Sequence, residues 1–258
     1  MTGDSQMTDN MAPQALALED GSVIAYHKIE GNSPGVIFLG GFMSDMTGTK
    51  ATALEAHCRA HGRAFIRFDY QGHGQSSGRF RDGTIGRWRD DAIAVLDRLA
   101  EGPQVLVGSS MGGWIALLAA LARPERVVGV VGIAAAPDFT RDLMWERYSE
   151  EQRSILQSEG FIEEPSEYSD EPYVITYRLI EEARDHILLD RPVAIHVPVR
   201  LLHGMQDADV PWQTALRLAD RLESEDVTVT LVKNGDHRLS EPADIDRICA
   251  AVDDLCAF

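Results

Sequence analysis

A tight turn between an apolar strand and an apolar helix constrains the fold of this chain more than any other feature of its sequence. Residues 105–107 are Val-Leu-Val, and residues 108–112 read Gly-Ser-Ser-Met-Gly. An Ala- and Leu-rich helical pattern over residues 111–122 follows and ends before Pro124. Glycine on both sides of the central serine lets strand and helix pack where a Cβ would collide. The spacing predicts a strand–turn–helix unit with Ser110 at the tip of a strained turn.

The same turn indicates a chemical role for Ser110. A serine at such a turn presents its hydroxyl to solvent, and the N–H of Met111 lies at the start of the helix, where negative charge is stabilised. Both features suit a nucleophile that attacks a carbonyl carbon. The alternative is an ordinary glycine-rich turn, because the short Gly-x-Ser-x-Gly pattern also arises by chance. The flanking strand and helix favour the nucleophile.

The rest of the chain alternates short apolar runs with helical patterns. The apolar runs are continuous and rich in Val, Ile and Leu, which is typical of parallel strands covered on both faces. Predicted strands cover residues 22–27, 35–39, 64–68, 104–107, 127–133, 199–202 and 227–232. Predicted helices cover residues 47–61, 84–100, 111–122, 141–158, 175–188, 212–223 and 242–255. This order predicts an α/β fold with a doubly wound, mostly parallel sheet, and a turn signal at residues 32–35 predicts an antiparallel start.

One region interrupts the alternation, and we interpret it as a small helical cap. Residues 138–196 contain no good central strand. This segment leaves and re-enters the sheet at the edge where the reactive turns are expected, which favours a cap over two surface helices without a role in binding. The predicted core comprises residues 15–137 and 197–258, preceded by a disordered tail over residues 1–14.

A serine nucleophile needs a base, and the base needs an orienting acid. Two loops after apolar strands supply these groups in the order serine, acid, histidine. The first reads His-Gly-Met-Gln-Asp-Ala-Asp-Val-Pro over residues 203–211, and the second reads Asn-Gly-Asp-His over residues 234–237. We predict His237 as the base and Asp207 as the acid. Asp209 is the alternative acid, although its place before a proline also suits a helix cap. Weaker candidates for the base are His57, His61, His73 and His203.

A glycine-rich loop is the candidate for the second half of an oxyanion hole. Residues 40–43 read Gly-Gly-Phe-Met and follow a predicted strand. Glycine lets the backbone approach a substrate carbonyl, so we predict the N–H groups of Phe42 and Met111 as the two donors, with a plain glycine turn as the alternative. Gly41 and Met43 are then expected beside the substrate. Aromatic residues of the cap are expected there as well, or else packed onto the sheet: Trp145, Tyr148, Tyr168 and Tyr173.

The composition limits the kinds of molecule that this protein is expected to bind. The 258 residues include 24 basic and 41 acidic side chains, and the net charge of −17 repels nucleic acids and anionic membrane surfaces. No stretch approaches the ~18 apolar residues of a membrane span, and residues 1–13 lack the regions of a secretory signal. Cys58, Cys249 and Cys256 have no metal-type spacing, and nucleotide-binding motifs are missing, so no metal or cofactor is expected. We therefore expect a cytoplasmic protein with reduced thiols and a small-molecule substrate.

Together these features resemble the α/β-hydrolase superfamily over residues 15 to 258. The resemblance is greatest to the branch of mitochondrial palmitoyl-protein thioesterases, also known as mycophenolic acid acyl-glucuronide esterases. It rests on residues 41–50 (GFMSDMTGTK), 65–70 (FIRFDY), 110–114 (SMGGW), 123–125 (RPE), 202–205 (LHGM) and 210–212 (VPW). It implies Ser110 as nucleophile, Asp207 as acid and His237 as base, and it implies hydrolysis of S-acyl or O-acyl bonds.

The sequence thus predicts a cofactor-independent serine hydrolase that cleaves carboxylic esters or thioesters through an acyl-enzyme. Two alternatives stay open. One is another reaction of the same three residues, such as carbon–carbon bond hydrolysis or perhydrolysis. The other is a non-catalytic protein that binds a ligand on the same fold.

Overall fold

The computed structural model describes residues 12–164 and 172–257. Most of the disordered tail predicted over residues 1–14 therefore lies outside the described residues. Gln14, which the prediction placed in that tail, belongs to the first strand and pairs with Tyr26 of the second. Hydrophobic patterning misses this first strand because Leu16 is the one buried side chain among its four residues.

The secondary-structure elements of the described residues follow the predicted alternation. The strands are β1 (Gln14–Ala17), β2 (Val23–Ile29), β3 (Asn32–Leu39), β4 (Arg63–Phe68), β5 (Gln104–Ser109), β6 (Val127–Ile133), β7 (Phe161–Glu164), β8 (Tyr173–Thr176), β9 (Val199–Gly204) and β10 (Val227–Val232). The helices are α1 (Thr49–Ala60), α2 (Ile85–Arg98), α3 (Met111–Ala122), α4 (Glu150–Glu159), α5 (Tyr177–Ala183), α6 (Gln213–Arg221) and α7 (Pro242–Leu255).

Within the described ranges, one mixed sheet contains eight strands in the order β1-β2-β4-β3-β5-β6-β9-β10. The β1–β2 and β2–β4 pairs are antiparallel, and every pair from β4 to β10 is parallel. The predicted doubly wound α/β fold is confirmed. Residues 32–35, however, do not form the predicted turn. They begin β3, where the Asn32 N–H donates to the Gly62 carbonyl at 2.7 Å, and β4 separates β2 from β3.

Helices cover both faces of the sheet, and each face has its own hydrophobic core. On one face, α2 and α3 bury Trp88 and Trp114. On the other face, α1 and α7 bury Leu54 and Val252. The central strands are thus covered on both sides, which is why their sequences are continuous apolar runs. Parallel strands of this kind direct their carboxyl ends to one edge, where the loops after β3, β5, β9 and β10 meet.

The segment between β6 and β9 has a small hydrophobic cluster of its own and also packs on the core of the sheet, where it buries Leu179, Leu188 and Val193. A π-helical stretch, Thr140–Trp145, is followed by α4, by a hairpin of β7 and β8, and by α5. The helices predicted over residues 141–158 and 175–188 are therefore correct only in part. Ser149 starts a new helix because its side chain and that of Gln152 form a capping box. The buried side chains that hold the segment together are Tyr148, Leu156, Ile175 and Ile180.

Candidate active site

Ser110 lies at the tip of the turn between β5 and α3 in a strained backbone conformation. Its φ of 54° with ψ of −119° lies outside the regions favoured by residues other than glycine. The turn is tied down by the Ala136 N–H, which donates to the Ser110 carbonyl at 3.1 Å. A Cβ on Gly108 would lie 2.2 Å from the Gly112 carbonyl oxygen, and a Cβ on Gly112 would lie 2.1 Å from that of Leu39. Glycine is therefore required on both sides of the serine.

Three side chains from separate loops meet beside this turn. His237 follows β10, and its Nε2 lies 3.1 Å from the Ser110 Oγ. Its Nδ1 lies 2.8 Å from the Oδ2 of Asp207, which follows β9. The Asp207 side chain is fully buried, whereas 18% of the His237 side chain is exposed. Because the carboxylate accepts from Nδ1–H, Nε2 carries a lone pair aimed at the serine hydroxyl.

Asp207 is held as a carboxylate by donors on both of its oxygens. Oδ1 accepts from the N–H groups of Asp209 at 2.9 Å and Val210 at 2.8 Å. Oδ2 faces His237 and also the Nε2 of His203. Burial alone would raise the pKa of Asp207, but hydrogen bonds from the two histidines outweigh it and hold the pKa well below its ordinary value. The group stays ionised throughout the mildly acidic range.

His203 has a place in this site that the sequence analysis missed. It is fully buried at the end of β9, and its Nε2 lies 3.1 Å from the Asp207 Oδ2 and 3.0 Å from the Val210 carbonyl oxygen. Both neighbours are acceptors, so Nε2 carries the proton and donates toward the acid from a second direction. The available signal was the position of His203 at the end of an apolar strand, four residues before Asp207.

The two candidate oxyanion donors belong to elements that flank Ser110. Met111 is the first residue of α3, so its N–H has no acceptor within the helix. The glycine-rich loop after β3 approaches from the neighbouring strand, and a Cβ on Gly41 would lie 3.5 Å from the Ser110 Cβ. Phe42 follows in that loop and lines the same cleft as Ser110 and Met111. Both residues thus lie beside the serine side chain.

A cleft of about 690 Å³ opens above these groups, a volume typical of small-molecule sites. Of the residues predicted to contact substrate, Gly41, Met43 and Tyr173 line it. Apolar side chains from the segment after β6 add to its wall: Phe139, Leu143 and Met144. Charged side chains form its rim: Asp45, Lys50, Arg147, Glu164, Asp209 and Arg238. Among them, burial lowers the pKa of Lys50 to about 8.

Two of the predicted pocket residues lie elsewhere. Tyr148 is buried with Leu156 in the cluster that holds the segment between β6 and β9 together. The Trp145 ring lies 6.1 Å from that of Tyr177, and the Arg153 guanidinium lies over it at 5.3 Å. Neither side chain lines the cleft, because periodicity does not distinguish the side of the segment between β6 and β9 that packs on itself from the side that covers the sheet. Tyr168 lies outside the described residues.

The ring of Phe42 contacts both the body of the protein and the segment between β6 and β9. It makes edge-to-face contacts with Phe80 at 4.8 Å and Trp88 at 6.0 Å, both from the body of the protein. It makes the same kind of contact with Phe139 at 5.6 Å and Tyr173 at 6.0 Å, both from the segment after β6. A single side chain of the glycine-rich loop therefore contacts both parts.

Asp69 and His73 belong to a third loop at this edge, and their contacts are architectural. The Asp69 carboxylate accepts from the N–H groups of Met46 at 2.7 Å and Gln75 at 2.8 Å, and burial raises its pKa. His73 is buried among aromatic rings. Both side chains hold the loop in place, and neither is among the described residues that line the cleft.

The fold and the turn at Ser110 define the class of this protein. A family model described as the alpha/beta hydrolase family matches residues 36–251, and the chain belongs to this family.

Within the family, the chain is similar to one named group. Palmitoyl-protein thioesterase ABHD10, mitochondrial, of Bos taurus is 48% identical over 233 residues, which are 90% of this chain and 76% of that protein. The structure of alpha/beta hydrolase domain-containing protein 10 from mouse matches with a TM-score of 0.88 at 45% identity, over 95% of this chain and 98% of that one. A protein of Agrobacterium vitis S4 matches with a TM-score of 0.91 at 43% identity, over 96% of this chain and 100% of that one. The predicted class, a hydrolase of ester or thioester bonds, is confirmed.

The same relatives correct the prediction of a cytoplasmic location. The proteins from cattle, orangutan, human and mouse are all named as mitochondrial. The prediction rested on the composition of residues 1–13 and on the cysteine pattern, and neither property reports reliably on the compartment. Among the described residues, no helix combines the length and the apolar character needed to cross a membrane.

Proposed function

We propose that this protein is a serine hydrolase that cleaves acyl thioesters or esters at Ser110. One observation carries the proposal. The hydrogen-bonded chain from Ser110 through His237 to Asp207 lies at the base of a cleft with an apolar wall. A serine hydroxyl is a weak nucleophile by itself, and a histidine held by a buried carboxylate is the arrangement that activates it.

The proposed reaction has two halves. His237 takes the Ser110 proton as Oγ attacks the acyl carbon, and Asp207 stabilises the imidazolium that forms. The N–H groups of Phe42 and Met111 receive the oxyanion, and the histidine then protonates the departing thiol or alcohol. A water molecule activated by His237 releases the acid and restores Ser110. Asp207 stays ionised because its low pKa keeps protons off the carboxylate.

We assign residues 138–196 as a cap over residues 15–137 and 197–258, with the acyl chain bound between cap and core. The apolar wall formed by Phe139, Leu143 and Met144 supports this placement. The relatives named palmitoyl-protein thioesterases support a long, apolar acyl group as the substrate class. The charged rim favours a polar leaving group that stays near solvent.

The test is hydrolysis of a matched substrate panel by the purified protein. The panel contains p-nitrophenyl esters from acetate to palmitate, an S-palmitoyl thioester and an acyl glucuronide. Ser110→Ala is compared with Ser158→Ala, which makes the same change on an exposed position of α4. We expect Ser110→Ala to lower kcat by about 10⁴-fold or more while Ser158→Ala behaves as the unaltered protein.

Covalent labelling separates the possible failures. A fluorophosphonate should label the unaltered protein and Ser158→Ala but not Ser110→Ala. Labelling without turnover of any panel member would show an assembled site with a different substrate. Turnover that survives in Ser110→Ala would refute the nucleophile, and the absence of both labelling and turnover would favour a ligand-binding protein.

A further inference from the structure

A second cluster of potential metal ligands lies outside the cleft, between α1 and α7. His57 in the last turn of α1 and His61 just after that helix are four residues apart, a spacing that brings two side chains to one face. Asp253 comes from α7, and the His57 Nε2 lies 2.9 and 3.1 Å from its two carboxylate oxygens. One ligand atom from each of the three residues lies within 4.8 Å of the others.

The orientation of His61 prepares one of its nitrogens for coordination. Its Nδ1 lies 2.8 Å from the His57 carbonyl oxygen, which can only accept a hydrogen bond. Nδ1 therefore carries the proton, and Nε2 of the neutral ring carries a free lone pair. A carbonyl that fixes the second nitrogen is the usual support for a metal-bound imidazole. The ring centroids of His57 and His61 are 4.2 Å apart, so both rings occupy one small volume.

The surrounding electrostatics favour a cation at this position. The carboxyl ends of α1 and α7 both lie here, at Ala60 and Leu255, and each carries a partial negative charge. The Asp253 carboxylate adds a full negative charge near the end of its own helix, where an anion is unfavourable. A bound cation offsets all three.

Nearby groups leave the role of ligand to the histidines and the aspartate. Cys58 is fully buried in the hydrophobic core on this face of the sheet, whereas the cluster of potential ligands is partly exposed. Neighbouring arginines are directed elsewhere: Arg59 pairs with Glu55 at 2.6 Å, and Arg63 donates to the Pro34 carbonyl at 2.9 Å.

We propose that His57, His61 and Asp253 bind a divalent transition-metal ion of the zinc type, with water completing the coordination. Two imidazoles and one carboxylate are a ligand set that zinc accepts. Coordination uses the other tautomer of neutral His57, in which the proton that now lies between Nε2 and Asp253 is carried by Nδ1 and the Nε2 lone pair binds the ion. Ligand atoms on a tetrahedral zinc are about 3.3 Å apart, so the half-exposed Asp253 and the exposed His61 close in by about 1.5 Å at most.

Such an ion would join α1 to α7 at the carboxyl end of α1, which is remote from the cleft. The amino end of α1 lies beside the cleft, where Thr49, Lys50 and Ala51 line it. The proposed site lies at the opposite end of the same helix, so its role is structural and independent of the proposed hydrolysis.

Zinc titration of tag-free, chelator-treated protein tests this site. Asp207, Asp209 and His237 also place ligand atoms within 4.8 Å of one another, so the titration is done in His237→Gln, which removes the imidazole of that second cluster. We expect one zinc ion per chain by calorimetry and an increase in Tm on adding zinc. His61→Gln and His57→Ala should each weaken binding by at least about tenfold. His196→Ala, which alters an exposed histidine elsewhere, should not change it.

His61→Gln keeps the test decisive, because an exposed polar replacement after the end of α1 leaves the fold intact. Zinc binding that is undetectable in His237→Gln would overturn the proposal. Binding that persists at equal affinity in both His57→Ala and His61→Gln would also overturn it, because the ion would then lie elsewhere.

Discussion

Acidification should destabilise this protein through His73, and one substitution separates that effect from other titrations. The His73 ring is 4% exposed and lies 5.1 to 5.6 Å from the rings of Trp88, Phe80 and Tyr70. Its Nε2 has no hydrogen-bond partner among the residues that the structure describes. Burial lowers the pKa of this imidazole from 6.5 to about 4, because the apolar surroundings disfavour the charged ring.

The size of the effect follows from that difference in pKa. Near neutral pH the ring is uncharged in both the folded and the unfolded chain. Below pH 6.5 the unfolded chain takes up a proton that the folded protein rejects until the pH falls to about 4, so stability is lost across this window. The full loss is about 3 kcal/mol, and about 2 kcal/mol of it is reached at pH 5.

Urea unfolding of His73→Phe measures this contribution, because phenylalanine keeps an aromatic ring but cannot be protonated. Free energies of unfolding are compared between about pH 7.5 and pH 4.5. Relative to the unaltered protein, His73→Phe should become more stable by about 2 kcal/mol on going to pH 5. His196→Phe makes the same change on an exposed histidine and should show no such trend. A difference between His73→Phe and the unaltered protein that stays constant with pH would refute the reasoning.

Three further predictions concern the proposed reaction. In steady-state kinetics, Asp207→Asn should lower kcat by about 10³- to 10⁴-fold and Asp209→Asn by less than about tenfold. The reverse order would assign the role of the acid to Asp209. His203→Phe should lower kcat by about 10- to 100-fold with KM little changed, since it keeps a ring but removes the hydrogen bond to the carboxylate. It should also shift the proton resonance of the Asp207–His237 hydrogen bond, and an unshifted resonance would mean a purely structural role. Each added CH₂ of the acyl chain should raise kcat/KM about fourfold until the cleft is filled, and a flat dependence would argue against an apolar acyl site.

The turn at Ser110 was predictable because its residue types have few other uses. A Cβ on Gly108 or Gly112 would collide with a backbone oxygen, so both positions require glycine. This requirement is local and can therefore be recognised from the sequence. The order of Asp207 and His237 was predictable for a related reason, since parallel strands bring the ends of β9 and β10 to one edge. The structure places these side chains within hydrogen-bonding distance, and their roles in catalysis remain the subject of the experiments above.

The internal packing of residues 138–196 and the support of the acid were not predictable in the same way. Whether Trp145 faces the cleft or its own segment depends on packing that helical periodicity leaves open, and the β7–β8 hairpin joins strands of four residues with partly polar sequence. His203 reads as an ordinary buried strand residue. Its contact with Asp207 depends on a loop that turns back over the strand end, which no local pattern reports.

The contacts of Phe42 couple the choice of acyl group to the rate of the proposed reaction. Its ring is a shared wall between cap and body, and its N–H is a proposed oxyanion donor on the same residue. Phe139 and Tyr173 of the proposed cap contact the Phe42 ring. A substitution that repacks either residue to admit a different acyl group also shifts Phe42, and with it the backbone N–H of this residue. A change of acyl preference made in the proposed cap should therefore need a compensating change in the glycine-rich loop.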